Sequence, residues 1–273
     1  MLAAGVLGAV VGLILALTGA GGGSLAVPLL VFGLGLPMQQ AAPVALLAVG
    51  LASGLGAMLG WRDGLVRYRA AALIGFTGML LAPLGVWLAH RLPAPPLMLM
   101  FAGVLGWSAW RMWRASRAPA ASLVAGEAVN AGQRLACVIN PEQGRLHWTL
   151  PCARALMGIG ALSGLMSGLL GVGGGFVIVP ALTRHTDISV RGIAATSLAV
   201  IALVSVGGMA AAVGHGAFNW AVAGPFGVGA VLALLLGRRV ARRLAGQRLQ
   251  QLFALLCAGV ALAMAGHGLS SLL

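Results

Sequence analysis

Two stretches decide the fold: Thr18–Leu30, TGAGGGSLAVPLL, and Leu170–Leu182, LGVGGGFVIVPAL. Laid over one another they put Gly19 on Gly171, Gly21-Gly22-Gly23 on Gly173-Gly174-Gly175 and Pro28 on Pro180, a shift of 152 positions. The register continues outward without a gap. Gly8 falls on Gly160 and Gly12 on Gly164; further on, Leu46 falls on Leu198, Gly56 on Gly208, Gly85 on Gly237 and Phe101 on Phe253. Composition bias aligns scattered glycines and leucines, but it does not hold one register over about ninety residues. The chain is read as an internal duplication.

Hydrophobic residues make up 60% of the 273 positions and charged residues 8%. A water-soluble domain cannot cover its surface with so few charges, so the class is a membrane protein. All 17 basic residues are arginine, and the acids are Asp63, Glu127, Glu142 and Asp187. Each lies in or beside a break between apolar stretches, where no ionised group meets hydrocarbon. The net charge of +13 therefore reflects arginines at the ends of apolar segments, not a basic face for nucleic acid. Cys137, Cys152 and Cys257 have no CxxC or Cys/His spacing, so free thiols and no metal are expected. No cofactor is expected either. The partners expected are a small anionic substrate and the lipid bilayer, and the oligomeric state is left open.

Each copy holds the same segments. In the first, an apolar arm from Gly5 to Ala20 meets the GGG and a second arm runs from Ser24 to Leu36. Long segments follow near Ala41–Gly60, Ala70–Ala89 and Pro96–Met112. In the second copy the arms are Ala155–Leu170 and Phe176–Thr183, with long segments near Gly192–Val213, Ala217–Gly237 and Leu249–Ala265. A bilayer crossing needs about 20 apolar residues. The second arms fall short, so each arm, glycine turn and arm reads as a re-entrant hairpin with its turn inside the membrane. The expected fold is an all-α polytopic membrane protein of two inverted-topology repeats, each a re-entrant helical hairpin plus three transmembrane helices. Residues 1–114 form the first repeat, 115–153 a cytoplasmic linker and 154–273 the second repeat. Within the linker, alternating Leu135, Cys137, Ile139 and Leu146, Trp148, Leu150 flank Asn140-Pro141-Glu142-Gln143-Gly144, a turn signal that points to a β-hairpin within 133–150; a disordered linker fits the same composition.

Arginines set the orientation. With both hairpins returning to their starting side, every arginine except Arg91 faces the cytoplasm, and both termini face the periplasm. The first hairpin then enters from outside and the second from inside. Trp61, Trp107, Trp110 and Trp113 fit an interfacial aromatic belt.

The chemistry of the pair of glycine turns is that of anion binding. A helix beginning at a glycine turn presents unpaired N–H groups and the positive end of its dipole. Glycine lets the backbone come close to a ligand, and such an end holds an anion without a buried cation. Two of them converging near mid-membrane at a repeat interface would hold an oxyanion as broken-helix transporters do. The candidate substrate-binding residues are Gly21, Gly22, Gly23, Ser24, Gly173, Gly174, Gly175 and Phe176. The bland reading is close helix packing by small residues. Thr18, Ser53, Thr77, Ser163, Ser167, Thr196, Ser197 and Ser205 lie within spans and would complete a pocket, although each has a carbonyl one turn back to bond instead. Arg184 and Arg191 flank the cytoplasmic mouth.

These residues resemble a known family. The paired TGAGGGSLAVPLL and LGVGGGFVIVPAL, with GIAATSL at Gly192–Leu198 and the His215-Gly216 helix start, are similar to the sulfite exporter TauE/SafE family over all but the linker. The resemblance implies a bacterial inner-membrane permease, usually an exporter, for sulfite or a short organosulfonate such as sulfoacetate, and it adds Thr196 and Ser197 to the substrate-binding set. One departure is Asp63, which stands where the other half has His215. A permease for another small anion, or a membrane subunit or scaffold of a larger transport system, fits the same architecture. An enzyme does not: no Asp or Glu lies inside a span, His90 and His267 sit at span ends, and no catalytic residue is assigned.

Overall fold

The computed structural model describes residues 1–18, 22–117, 137, 139–140, 145–146, 149–186, 189–214, 220–244 and 247–270. The first half runs α1 (Leu2–Thr18), a 3-10 turn (Gly22–Leu25), α2 (Ala26–Leu34), α3 (Met38–Arg62), α4 (Tyr68–Arg91) and α5 (Ala94–Arg117). Two short strands follow, β1 (Ile139–Asn140) and β2 (Arg145–Leu146). The second half runs α6 (Leu150–Leu170), α7 (Gly175–His185), α8 (Val190–Gly214), α9 (Trp220–Leu244) and α10 (Gln247–Ser270). The element order of the first half is thus repeated in the second. Among the described residues, six helices are long and apolar enough to cross a membrane: α3, α4, α6, α8, α9 and α10. α5 is as long as α4 but carries Arg111, Arg114 and Arg117 in its last turns. The chain is an all-α polytopic membrane protein.

The surface fits that medium. On α4, Phe76, Leu80 and Leu84 recur every four residues and are exposed; on α9 the same register holds Val228, Leu232 and Leu236, also exposed. A stripe of this size would be a liability in water, and lipid is the solvent that tolerates it. The guanidinium groups of Arg91, Arg111 and Arg114 lie over the rings of Trp87, Trp107 and Trp110, at 4.1, 5.5 and 4.8 Å from the centroids. That pairing suits headgroup depth.

Packing between the halves is reciprocal. A methyl on Gly8 would strike the Phe226 carbonyl, and one on Gly160 the Ile74 carbonyl, which is the same pair with the halves exchanged. Gly12 against the Ala230 carbonyl is repeated by Gly164 against the Gly78 carbonyl. A methyl carbon on Gly56 would stand 3.0 Å from Leu198 Cδ1, and one on Gly208 3.0 Å from Leu46 Cδ1. So α1 lies on α9 as α6 lies on α4, while α3 crosses α8 and α5 crosses α10. Contacts that swap in this way are those of a two-fold interface. Without side chains at the crossing points, backbones approach closely enough for dispersion and Cα–H···O contacts to hold helices that lipid does not squeeze together.

The linker brings one correction. Cys137 and Cys152, expected as free thiols, are disulfide-bonded, with Cα atoms 5.0 Å apart. Spacing alone reveals metal and redox motifs, whereas this pair meets because the chain folds back on itself: Ile139 pairs with Leu146 and Asn140 with Arg145 in an antiparallel ladder just before α6. Cys137 also bridges Thr186, the residue after α7. One residue thus ties the start of α6 to the end of α7, so that hairpin comes back to the side on which it began. Cys257 is a free, buried thiol. Alkylation of denatured, unreduced protein is expected to label Cys257 alone, and all three cysteines after dithiothreitol; three reactive thiols without reductant would refute the crosslink. A cytosolic face keeps such thiols reduced, so on the side expected for this linker the bridge is one of the oxidised, isolated protein.

Arginine-rich ends gather together. Arg238 pairs with Asp63 at 3.6 Å and donates to the Gly56 carbonyl at 3.5 Å. Arg111 is an electrostatic neighbour of Arg184. The Arg67 N–H donates to Thr196 Oγ1 at 3.2 Å, joining the start of α4 to the start of α8. The Asp63–Arg238 pair is exposed enough that its own stabilisation is about 1 kcal/mol or less.

Candidate functional site

The second glycine turn is fixed by backbone geometry. Thr149 caps α6 by accepting from the Cys152 N–H at 3.3 Å, and Gly171 ends that helix with its N–H on the Ser167 carbonyl at 2.8 Å. Gly174 then caps α7 at φ 71°, a left-handed conformation that L side chains resist. Any side chain there would also strike Ser163, whose hydroxyl donates to the Gly174 carbonyl at 3.5 Å. The N–H groups of Val177 and Ile178 both donate to that carbonyl, at 3.0 and 3.2 Å. Those of Gly175 and Phe176 stand ahead of the helical ladder, at the positive end of the dipole. Pro180, inside α7, has no N–H to return to Phe176, so the first turn of this helix is loosely tied.

The first turn takes another form. Gly21 lies outside the described residues, and Gly22, Gly23, Ser24 and Leu25 form a buried 3-10 turn that runs into α2. Gly22 is pressed against the backbone of α1, 2.6 Å from Leu15 Cα to an added methyl carbon. Ser24 shares a hydrogen bond with the Cys257 thiol of α10. Cys257 is a neighbour of this turn that its apolar sequence context concealed.

The two turns meet. A methyl carbon on Gly23 would stand 3.0 Å from the Val172 carbonyl oxygen and 3.0 Å from Val49 Cγ1. One on Gly173 would stand 3.2 Å from the same Val49 atom and 2.9 Å from Ile201 Cγ2. Val49 and Ile201 occupy the same position in the two copies, on α3 and α8 where these helices cross, and both are fully buried. They are residues that a search for chemistry passes over. The signal for them was the repeat register, which pairs two β-branched residues at the middle of the two most interior helices. Among the residues at this junction none is charged.

The hydroxyls divide into two groups. Thr18, Thr77, Thr183 and Thr186 donate to carbonyls one turn back, at 2.7–2.8 Å. Thr196 accepts from the Arg67 N–H, so it ties the start of α4 to the start of α8. Ser53, Ser167, Ser197 and Ser205 are buried and their Oγ atoms have no hydrogen-bond partner. An unmet buried hydroxyl costs about 1–3 kcal/mol. Ser205 Oγ lies 4.0 Å from the methyl position on Gly173 and 3.4 Å from that on Gly50. Of the two mouth arginines, Arg184 is exposed beside Arg111; the side chain of Arg191 lies outside the described residues, as do His215 and Asn219.

Two cavities flank this junction without reaching the glycines of either turn. One of about 20 Å³, room for a water molecule, lies among Gln39, Ala42, Leu46, His90 and Gly168. The other, about 340 Å³, is a lateral groove between α3, α4 and α8. The space between the turns is filled by Val49 and Ile201, so the structure is closed at its centre.

Known proteins agree with this architecture. The chain is similar to two proteins named "Probable membrane transporter protein", from Xylella fastidiosa strains Temecula1 and 9a5c. Each is 28% identical over 263 residues, covering 93% of this chain and 91% of the relative. No solved structure matches. The model of the sulfite exporter TauE/SafE family matches residues 4–264, nearly the whole chain. A polytopic helical protein with these relatives is a membrane transporter and not an enzyme, and the chain belongs to the sulfite exporter TauE/SafE family.

Proposed function

We propose that this transporter exports a small sulfur-containing anion, sulfite or a short organosulfonate, across the bacterial inner membrane. The anion is held near mid-membrane between the helix starts at Gly22–Ser24 and Gly173–Phe176. The observation that carries the reading is the contact of the two glycine turns, Gly23 against the Val172 carbonyl, at the crossing of α3 and α8. Two helix N-termini aimed at one uncharged, buried point form an anion site without a buried cation. The swapped contacts between the halves support insertion in opposite orientations, with a two-fold axis in the membrane plane. The clustering of Arg62–Arg69, Arg111, Arg184 and Arg238 away from Arg91 supports a cytoplasmic arginine-rich face and periplasmic termini. Each half then acts as a body that rocks against the other, exposing the turns to one side at a time. Export of an anion runs with the membrane potential, about 2.3 kcal/mol per charge per 100 mV.

Gly23→Ala is the test. The added methyl stands 3.0 Å from the Val172 carbonyl oxygen and from Val49 Cγ1, so these neighbours must give by a few tenths of an ångström, and it lies where the two turns meet. In proteoliposomes, sulfite or methanesulfonate efflux is expected to fall by about tenfold or more, the worth of one or two charge-assisted hydrogen bonds. Elution and helix content in detergent are expected to stay as in the parent. Unchanged efflux in a correctly inserted Gly23→Ala protein would sink the site.

A further inference from the structure

The four unmet hydroxyls form a pattern about the closed centre. Ser53 stands four residues, one helical turn, after Val49, and Ser197 and Ser205 stand one turn before and after Ile201. Ser167 stands one turn before Gly171, which bonds its carbonyl. Ser53 and Ser205 are the same position in the two copies. Threonines elsewhere in these helices take the ready bond to their own backbone, which is the usual resting place of such a group in a membrane. These four serines forgo it within a turn of residues that touch the glycine turns, and Ser205 Oγ lies 4.0 Å from the methyl position on Gly173.

We propose that Ser53, Ser167, Ser197 and Ser205 are the hydroxyl ligands of the transported anion, and that the site they complete takes oxyanion groups with one charge and rejects those with two charges on one centre. The inference rests on the anion-site reading above and adds to it which side chains bind and which charge state is bound. Each helix start contributes about half a positive charge, so two offset roughly one negative charge. The hydroxyls are neutral; they match oxygen atoms but offset no further charge. A dianion would leave one uncompensated charge in an apolar, water-excluding centre, which is the most costly state in such a medium. Hydrogensulfite and a simple alkanesulfonate meet the requirement. Sulfate and the sulfite dianion, whose two charges share one centre, do not. A serine hydroxyl also accepts, so it can receive the proton that hydrogensulfite carries and the dianion lacks.

The test uses the purified full chain in nanodiscs, with binding followed by calorimetry and thermal shift. The probes are methanesulfonate, singly charged throughout the range, sulfate, doubly charged, and sulfite from pH 8 to about pH 6. Methanesulfonate is expected to bind with little pH dependence and sulfate at least about thirtyfold more weakly, the penalty for an unpaired buried charge. Sulfite affinity is expected to rise as pH falls and the monoanion accumulates. Ser53→Ala with Ser205→Ala is expected to weaken methanesulfonate about tenfold or more, one strong hydrogen bond per factor of ten. The same pair is expected to leave the ligand-free melting temperature unchanged or higher, because alanine removes unmet hydroxyls from an apolar core; a purely structural serine would lower it. Ser167→Ala with Ser197→Ala is expected to behave alike. Normal binding by both serine pairs, or sulfate bound as tightly as methanesulfonate, refutes this inference. If Gly23→Ala still loses binding in that case, the anion site stands without it. A parent protein that binds none of the three anions removes both.

Discussion

Leucine at Gly12 or at Gly164 is expected to leave no folded transporter, whereas leucine at Gly103 or Gly158 is expected to be tolerated. Beyond Gly12 the next atoms are the carbonyl, carbon and Cα of Ala230, and beyond Gly164 those of Gly78. Backbone cannot swing aside as a side-chain end can, so the helices α1 and α9, or α6 and α4, must part along their length. Their association rests on close approach alone, since lipid supplies no hydrophobic force between them. Separation therefore costs more than about 3 kcal/mol, above the usual range for overpacking at a side-chain contact. Gly103 and Gly158 have nothing within 4 Å of an added methyl carbon. Fluorescence-detected elution of the four variants decides it. The two damaging positions are also repeat mates, so equal losses at Gly12 and Gly164 support the two-fold packing. Loss at one with a normal peak at the other would show that the exchange of contacts is no guide to energy.

Much of this was legible in the sequence because the relevant physics is periodic. The 152-residue register already contained the swapped contacts: Gly8 with Gly160 and Gly12 with Gly164 are the small-residue faces of α1 and α6. Seven of the ten apolar segments lay within the observed helices; Ser24–Leu36 runs past the end of α2 at Leu34, and Gly5–Ala20 and Ala217–Gly237 each have one end outside the described residues. α6 begins at Leu150 rather than Ala155 because Thr149 and Pro151 make a starting signal that outweighs Arg154. The closing of the Cys137–Cys152 bridge was not legible, since it depends on a strand pair and on the position of Thr186, 49 residues beyond Cys137. At the proposed site the glycines are candidates on their chemistry. Which hydroxyls stay unmet was not legible, because Thr77 and Ser53 look alike in sequence and differ only in rotamer and surroundings. Val49 and Ile201 escaped for the opposite reason: they carry no chemistry, and only three-dimensional placement between two turns gives them a role.

That placement leads to the second large effect. Val49→Trp is expected to slow efflux by about a hundredfold or more, and Val49→Ala with Ile201→Ala is expected to tighten anion binding by about tenfold. In the closed structure Val49 Cγ1 lies within about 3 Å of the methyl positions of Gly23 and Gly173 at once, so no oxyanion fits between the turns until it withdraws. Binding therefore selects a rarer opened state, and the apparent affinity is the intrinsic one reduced by that state's population. An indole at this point adds volume on the axis through which the anion must pass and holds the turns apart from it. Alanines at both positions destabilise the closed form, by about 1–3 kcal/mol for each truncation, and so raise the opened fraction. The signature is a pair of opposite movements: a lower melting temperature without ligand and a larger shift with methanesulfonate. A core residue with no part in gating gives the first movement without the second. Tighter binding in the alanine pair cannot come from new contacts, since the substitutions only remove atoms; it has to come from a centre that the parent keeps filled.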